Sequence, residues 1–352
     1  MSYENGMAAL RLEMPSRIPR TEYSADNHWK LVSAVTGLEV SVSSDSQLRF
    51  EASKKFMEAW NYDFIWSILI SRGELGSTRT KMGHAVYAEG GTDYDEEVSC
   101  LFTSHEEVFA FDFEERLGIG DIAEITTRFN SHYEQAAQRF PSAVNMTGIY
   151  ITCISGLIDL LGWDMLLTAA GEDIARFSDF TKRYIKWIEP YFIALAKSTP
   201  AVVMVHDDIA WTSGPFIHPS WYREFVFPNY AKLFDYLKQA GKIICFTSDG
   251  DYTMFIDDIA RCGINCFVME PMTDMAYIAE KYGRTHSFVG NADTRILLYG
   301  NKDDIAQEVK RCIDIGKNCP GFFMAVGNHI PSNTPVDNVL YYNECYEKMS
   351  LR

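Results

Sequence analysis

Five times between residues 201 and 331, a short and almost wholly apolar run ends in polar residues and gives way to helical spacing. The runs are "AVVMVHDDIA" (201–210), "KIICFTSDG" (242–250), "CFVMEP" (266–271), "HSFVGNAD" (286–293) and "GFFMAVGNHIP" (321–331). A run with no polar face reads as a strand covered on both sides. The cover comes from helical stretches near 251–261, 274–282, 302–317 and 335–348. Strand, helix, strand, helix in this order builds a parallel sheet with helices outside it. An open doubly wound sheet and a closed barrel both satisfy the alternation. No GxGxxG follows a strand, so the dinucleotide-binding open sheet lacks its main signal. Strand count and length favour an α/β fold of the TIM-type (β/α)8 barrel, whose site lies at the C-terminal strand ends.

Upstream, "YDFIWSILI" (62–70) and "AVNMTGIY" (143–150) read as earlier strands, with helical spacing over 46–60, 121–136 and 155–197. Residues 71–120 combine glycines, acids and weak periodicity, which predicts an insertion after the first strand. The first 60 residues, where Pro15 and Pro19 discourage one long helix, read as an N-terminal helical extension. The barrel is expected over 61–352, and no low-complexity linker divides the single domain of 1–352.

The formal charge of −16 turns the chain away from nucleic-acid backbones and anionic membranes as main partners. No apolar stretch reaches the roughly 18 residues of a membrane span, and no basic-then-apolar leader opens the sequence. The eight cysteines form no CxxC pair, and several lie in apolar runs where a reduced, buried thiol is the common outcome. A cytoplasmic protein is expected, and a homodimer is compatible with it.

The strand-end rule yields candidate site residues directly. His206, Asp207 and Asp208 end one run, Asp249 and Asp251 the next, and Glu270 the third. Asn291 and Asp293 follow the fourth, and Asn328 and His329 the last. Each has a structural alternative: Asp251 and Asp293 as helix caps, Asp249 beside Gly250 as turn chemistry, His329 as a satisfied loop histidine. Glu270, before Pro271, has no evident capping role. Asp249, Glu270 and His329 together offer two carboxylates and an imidazole, a donor set that suits Zn²⁺ with one position open. The competing reading is metal-free acid–base chemistry with Glu270 as a buried acid.

At these residues the sequence resembles the uroporphyrinogen-decarboxylase-like superfamily, particularly its cobalamin (corrinoid)-dependent methyltransferase branch. The resemblance rests on "HDDIAWTSGPFIHPSWYREFVFPNY" (206–230), "SDGD" after a strand, "GNADTRILLYG" (290–300) and "AVGNHIPSNTPVDNV" (325–339). Two departures narrow it. In place of the arginine-rich segment that grips porphyrin carboxylates stands "SRIPRTEYSADNHW" (16–29), which keeps only Arg17 and Arg20. In place of the His-x-Cys zinc pair of thiol-specific members stand Thr247 and Asp249, and the final cysteine falls near Asn328 or His329.

Loss of the thiolates resembles the substrate-side methyltransferases of anaerobic O-demethylase systems. That likeness implies methyl transfer from an aryl methyl ether to Co(I) of a separate corrinoid protein. It implies zinc on Asp249, Glu270 and His329, with Glu270, Asp249 and His206 catalytic. Asp208, Trp211, Tyr150, Asn291 and Asn328 would bind substrate, with Trp211 and Tyr150 walling the ring. A decarboxylase or lyase, a thiol or amine methyl donor, and a non-catalytic corrinoid-protein-binding barrel are the alternatives.

Overall fold

The computed structural model describes residues 1–80 and 100–352, together with the backbone of two short strands between them. Those strands, β2 (Val86–Ala88) and β3 (Gly91–Asp93), pair antiparallel. The rest of the expected insertion between 81 and 99 lies outside the described residues.

The remaining strands are β1 (Phe64–Ile65), β4 (Val144–Asn145), β5 (Thr147–Ile149), β6 (Val202–His206), β7 (Ile243–Ser248), β8 (Cys266–Met269), β9 (Ser287–Val289) and β10 (Phe322–Phe323). From β5 to β10 they pair in chain order, all parallel, and β1 pairs parallel with β4. Beyond β1, Ile70 bridges to Ile149, which ties β1 to β5. This is the parallel α/β architecture that the alternation predicts.

The two ends of the sheet are joined by residues 19–21. Arg20 bridges in parallel to Met324, with the Thr21 N–H donating to the Met324 carbonyl at 3.2 Å. On its other side the Arg20 carbonyl accepts from the Asp63 N–H at 2.8 Å, and the Thr21 hydroxyl donates to the Phe64 carbonyl. Backbone hydrogen bonds therefore run round a barrel whose first segment sits inside the stretch expected as an extension. Sequence patterning missed it because three residues are too short to display a period.

Alternate residues of each strand enter two separate cores, as the pleat requires. Val202, Met204, Cys245, Cys266, Val268, Val289, Phe323 and Ala325 fill the barrel interior. Val203, Val205, Ile244, Phe246, Phe267, Phe288 and Phe322 pack outward against the helices. The helix Tyr3–Leu10 contributes Met7, Ala9 and Leu10 to the interior. It lies so close that a Cβ on Gly6 would come within 2.6 Å of the Asp63 carbonyl. With one end filled this way, space for a ligand is left at the opposite end, where the strands run out.

Candidate active site

At the C-terminal end of β6, three successive residues divide their roles by the pleat. Asp207 points outward and is fully buried. Its carboxylate accepts from the N–H groups of Ile154 and Ser155 and from the Tyr230 hydroxyl. It thus holds the start of the helix Ser155–Glu172, a site where a negative charge is favoured. Burial nevertheless pushes its pKa up to about 6. His206 and Asp208 point the other way, with His206 Nε2 3.3 Å from Asp208 Oδ1. The Ser155 hydroxyl lies 3.5 Å from His206 Nδ1, and the Tyr150 ring stacks on the imidazole at 3.7 Å and 11°.

Asp249 comes from the turn after β7, where its N–H donates to Asp208 Oδ1 at 3.2 Å. Gly250 makes that turn possible. Its φ is +77°, and a Cβ there would lie 2.4 Å from the Ala210 carbonyl, so both conformation and space demand glycine. The Gly250 N–H donates to Glu270 Oε2 at 2.6 Å, and Asn328 Nδ2 donates to Glu270 Oε1. Asp251 accepts from the Thr253 N–H, and Asp293 caps the helix Thr294–Tyr299.

Among the described residues, the group whose ligand atoms converge is His206, Asp208 and Asp249, all within 4.8 Å of one another. This differs from the expected set of Asp249, Glu270 and His329. The Glu270 oxygens are engaged by Gly250 and Asn328, which clasp the β7 turn to the last strand segment. The His329 ring stands edge-on to Tyr23, with centroids 6.5 Å apart. Its pKa is pushed down to about 4 by burial, with His206 adding to the effect, so the ring is neutral at pH 7.

Of these residues, His206, Asp249, Asn328 and His329 border a chamber of about 160 Å³ at the barrel mouth, which Asp208 and Glu270 do not line. Its apolar wall is Tyr23, Trp66, Ile68, Tyr150, Met204 and Val268, and its polar wall includes His206, Thr247, Asp249, Asn328 and His329. Among the described residues, no lysine or arginine lines it. The Asp249 carboxyl is held well above the usual carboxylate range, first by burial, then by the Asp208 and Glu270 carboxylates. Two carboxylates and an imidazole, with no lysine or arginine among the described lining residues, fit a divalent cation, whose charge would relieve that repulsion.

Two expected residues lie elsewhere. Trp211 is 42% exposed, against Trp163 and Phe216, outside the chamber. Asn291 is buried, donating to the Glu270 and Thr273 carbonyls and accepting from Arg311. The aromatic wall is instead Tyr23, Trp66 and Tyr150. Trp66 had a legible signal, since Phe64, Trp66 and Ile68 share one face by the period of two. Tyr23 had none. Arg17 and Arg20 do not line the chamber either. Arg17 pairs with Asp63 at 2.7 Å, and Arg20 is fully buried against Glu22 and the Trp60, Tyr342 and Tyr346 rings.

The sequence pattern described as uroporphyrinogen decarboxylase (URO-D) matches residues 130–349, more than half of the chain. The chain belongs to the URO-D family. Among curated relatives, uroporphyrinogen decarboxylase of Geotalea uraniireducens is 28% identical over 160 residues, 46% of this chain and 45% of that one. That of Geobacter sulfurreducens is 24% identical over 160 residues, with the same coverage. The alignable part thus spans just under half the length of these URO-D relatives. Among solved structures, a methyltransferase from Methanosarcina mazei superposes with a TM-score of 0.65 at 16% identity, covering 98% of this chain and 97% of that one. That likeness shows a fold shared over nearly the whole length, and Tyr23 lies outside the family match. No helix among the described residues is long and apolar enough to cross a membrane.

Proposed function

We propose that this URO-D family member is a methyltransferase that moves a methyl group from an aryl methyl ether to Co(I) of a separate corrinoid protein. The observation that carries the reading is the chamber: about 160 Å³, with aromatic walls and one acidic corner. A cavity of about 150 Å³ takes a benzene ring, whereas a tetrapyrrole is several times larger. Arg17, paired with Asp63, and Arg20, fully buried against Glu22, are both absent from the described lining, so neither meets porphyrin carboxylates there.

In this reading the ring lies among Tyr23, Trp66 and Tyr150, with the ether oxygen toward Asp249. Attack by Co(I) forms the cobalt–methyl bond with its own electron pair, and the methyl–oxygen bonding pair leaves on the phenolic oxygen. That oxygen needs a proton or a Lewis acid as the bond breaks. Asp249, whose carboxyl resists ionisation, holds a proton at the corner where the oxygen leaves. His206, fixed by Tyr150 and Ser155, orients Asp208 beside it. The same His206, Asp208 and Asp249 would hold a divalent cation such as zinc, which when bound supplies electrophilic assistance to the ether oxygen.

The test is phenol release from a panel of methoxylated aromatics with a reduced corrinoid protein as acceptor. Asp249→Ala and His206→Ala are expected to lower kcat by about 10²–10⁴-fold, the range for loss of a positioned acid or base. Absence of phenol from every ether, with a competent acceptor, overturns the reading. A second reading has its own support: aromatic faces beside the Asp249 carboxyl, with no cation among the described lining residues, also suit a methylated ammonium donor. Demethylation of quaternary amines in the same assay, with ethers inert, would select it.

A further inference from the structure

Beside the chamber lies a larger cleft, of about 540 Å³, whose charge has the opposite sign. The two hollows meet at His329, which lines both, with Tyr23 on the chamber side and Ser24 on the cleft side. Trp29, Val40, Val42 and Ile330 supply the apolar lining of the cleft. Ser24, Asn27 and Lys30 are among its polar groups. A hollow of this size, mostly apolar with a few polar groups, has the make-up of a small-molecule site.

Lys30 is the residue there that nothing in the fold pairs with. It is exposed, and among the described residues its ammonium group makes no ion pair and no hydrogen bond. It stands in the first turn of the helix Trp29–Thr36, the end at which a cation is disfavoured. With 48 acidic residues against 32 basic in the chain, an acidic neighbour would be the common outcome. The two lining histidines add no charge. His28 Nδ1 accepts from the Leu31 N–H at 3.1 Å and Nε2 donates to the Thr334 carbonyl at 2.9 Å, so both ring nitrogens are committed in a neutral ring. His329 is neutral at pH 7. Among the described residues no Asp or Glu lines the cleft. One permanent positive charge thus borders apolar surface.

We propose that this cleft is a second ligand site, which takes an organic carboxylate with its apolar body against Trp29, Val42 and Ile330 and its charge on Lys30. One ammonium group balances one carboxylate. A phosphate monoester carries close to two charges and would leave an excess on a chain already at −16. An ammonium ligand would meet Lys30 as a like charge. Ser24 caps no helix with its side chain, and it lines the same space as Asn27. Their hydroxyl and amide are the donors that the remaining carboxylate lone pairs need. The site is separate from the chamber, whose acidic corner would repel the same group. It does not depend on the methyl-transfer reading.

The experiment is calorimetric titration of the whole chain with four probes of one shape. They are naphthalene-2-carboxylate, 2-naphthalenemethanol, 2-naphthylmethylammonium and 2-naphthyl phosphate. The carboxylate is expected to bind about fivefold tighter than the alcohol, the scale of one partly exposed ion pair, and tighter than the phosphate. That advantage should shrink as salt is raised from about 0.05 M to about 0.5 M. Lys30→Ala should erase the preference while leaving the alcohol's affinity unchanged, and Trp29→Ala should weaken both. Saturating phenol, a ring sized for the chamber, should not displace the carboxylate. Equal binding of carboxylate, alcohol and ammonium by the parent protein overturns the proposal without using any variant. Tighter binding of the phosphate overturns the carboxylate assignment. A preference that survives Lys30→Ala, or that phenol abolishes, places the probe elsewhere and overturns the site. Failure of all four probes to bind overturns it as well. None of these outcomes touches ether turnover, so the two readings fail separately.

Discussion

Asp249 stands in a corner where burial and two neighbouring carboxylates all favour its neutral form. The sign of its contribution to stability follows. Its folded pKa lies above that of the unfolded chain, so the folded state keeps a proton that the unfolded state releases near pH 4. Stability is fully present below that pH and is lost as the pH rises toward the folded value. Asp249→Asn imitates the protonated form and is expected to stabilise chelator-treated protein by about 1 kcal/mol at pH 8, with little effect at pH 4, in urea titrations. Methyl transfer should fall in the same variant, and a loss of stability at pH 8 instead would count against the crowded carboxyl. His329 has the opposite sign. Its pKa is lowered from 6.5 to about 4 by burial, so its contribution is complete above pH 6.5 and is lost as the pH falls toward 4. In urea titrations, His329→Asn should narrow its stability gap to the parent across that window. Sequence exposed Asp249 through its place after a strand and beside a glycine. It did not expose the carboxylate clasp of Glu270, because a hydrogen bond to Gly250 across two loops has no spacing signature.

The closing segment 19–21 is the element that patterning read least well. Strands β6 to β8 were legible because consecutive apolar residues must be covered on both faces. Arg20 is charged, yet it is fully buried beside Glu22, under the Trp60 and Tyr346 rings at 4.2 and 4.8 Å. A charged residue in a polar N-terminal stretch reads as surface, and only the tertiary partners from the helix Val336–Met349 reverse that reading. Removing one partner strands the other. Arg20→Ala is therefore expected to destabilise the fold by about 3–5 kcal/mol, measured by urea denaturation. The pair Arg20→Met with Glu22→Gln removes both charges and should recover much of that loss. Equal losses in the two variants would indicate that packing of the arginine stem, rather than the buried charge pair, holds the barrel closed. Because Tyr23 follows directly, the single variant should also weaken ligand binding.

Among the described residues, the chamber shares His329 with two further hollows. A cleft of about 540 Å³ runs past Trp29, Lys30 and Ile330, and another of about 480 Å³ past Glu270, Met272, Arg295 and Tyr299. A small ring can occupy the chamber, but the methyl acceptor proposed here is a protein that must approach from the same mouth. The second cleft offers the apolar side chains such a contact uses: Tyr299 is 82% exposed and Met272 41%. Aromatic and methionine side chains dominate the centres of protein interfaces. Tyr299→Glu and Met272→Glu are expected to raise KM for the corrinoid protein by about tenfold each, the scale of a moderate hot spot. Neither residue lines the chamber, so phenol affinity and kcat at saturating acceptor should hold. Unchanged KM in both variants would move the docking face to the cleft beside Trp29. A matched loss of phenol affinity would instead mean that the two hollows form one ligand site.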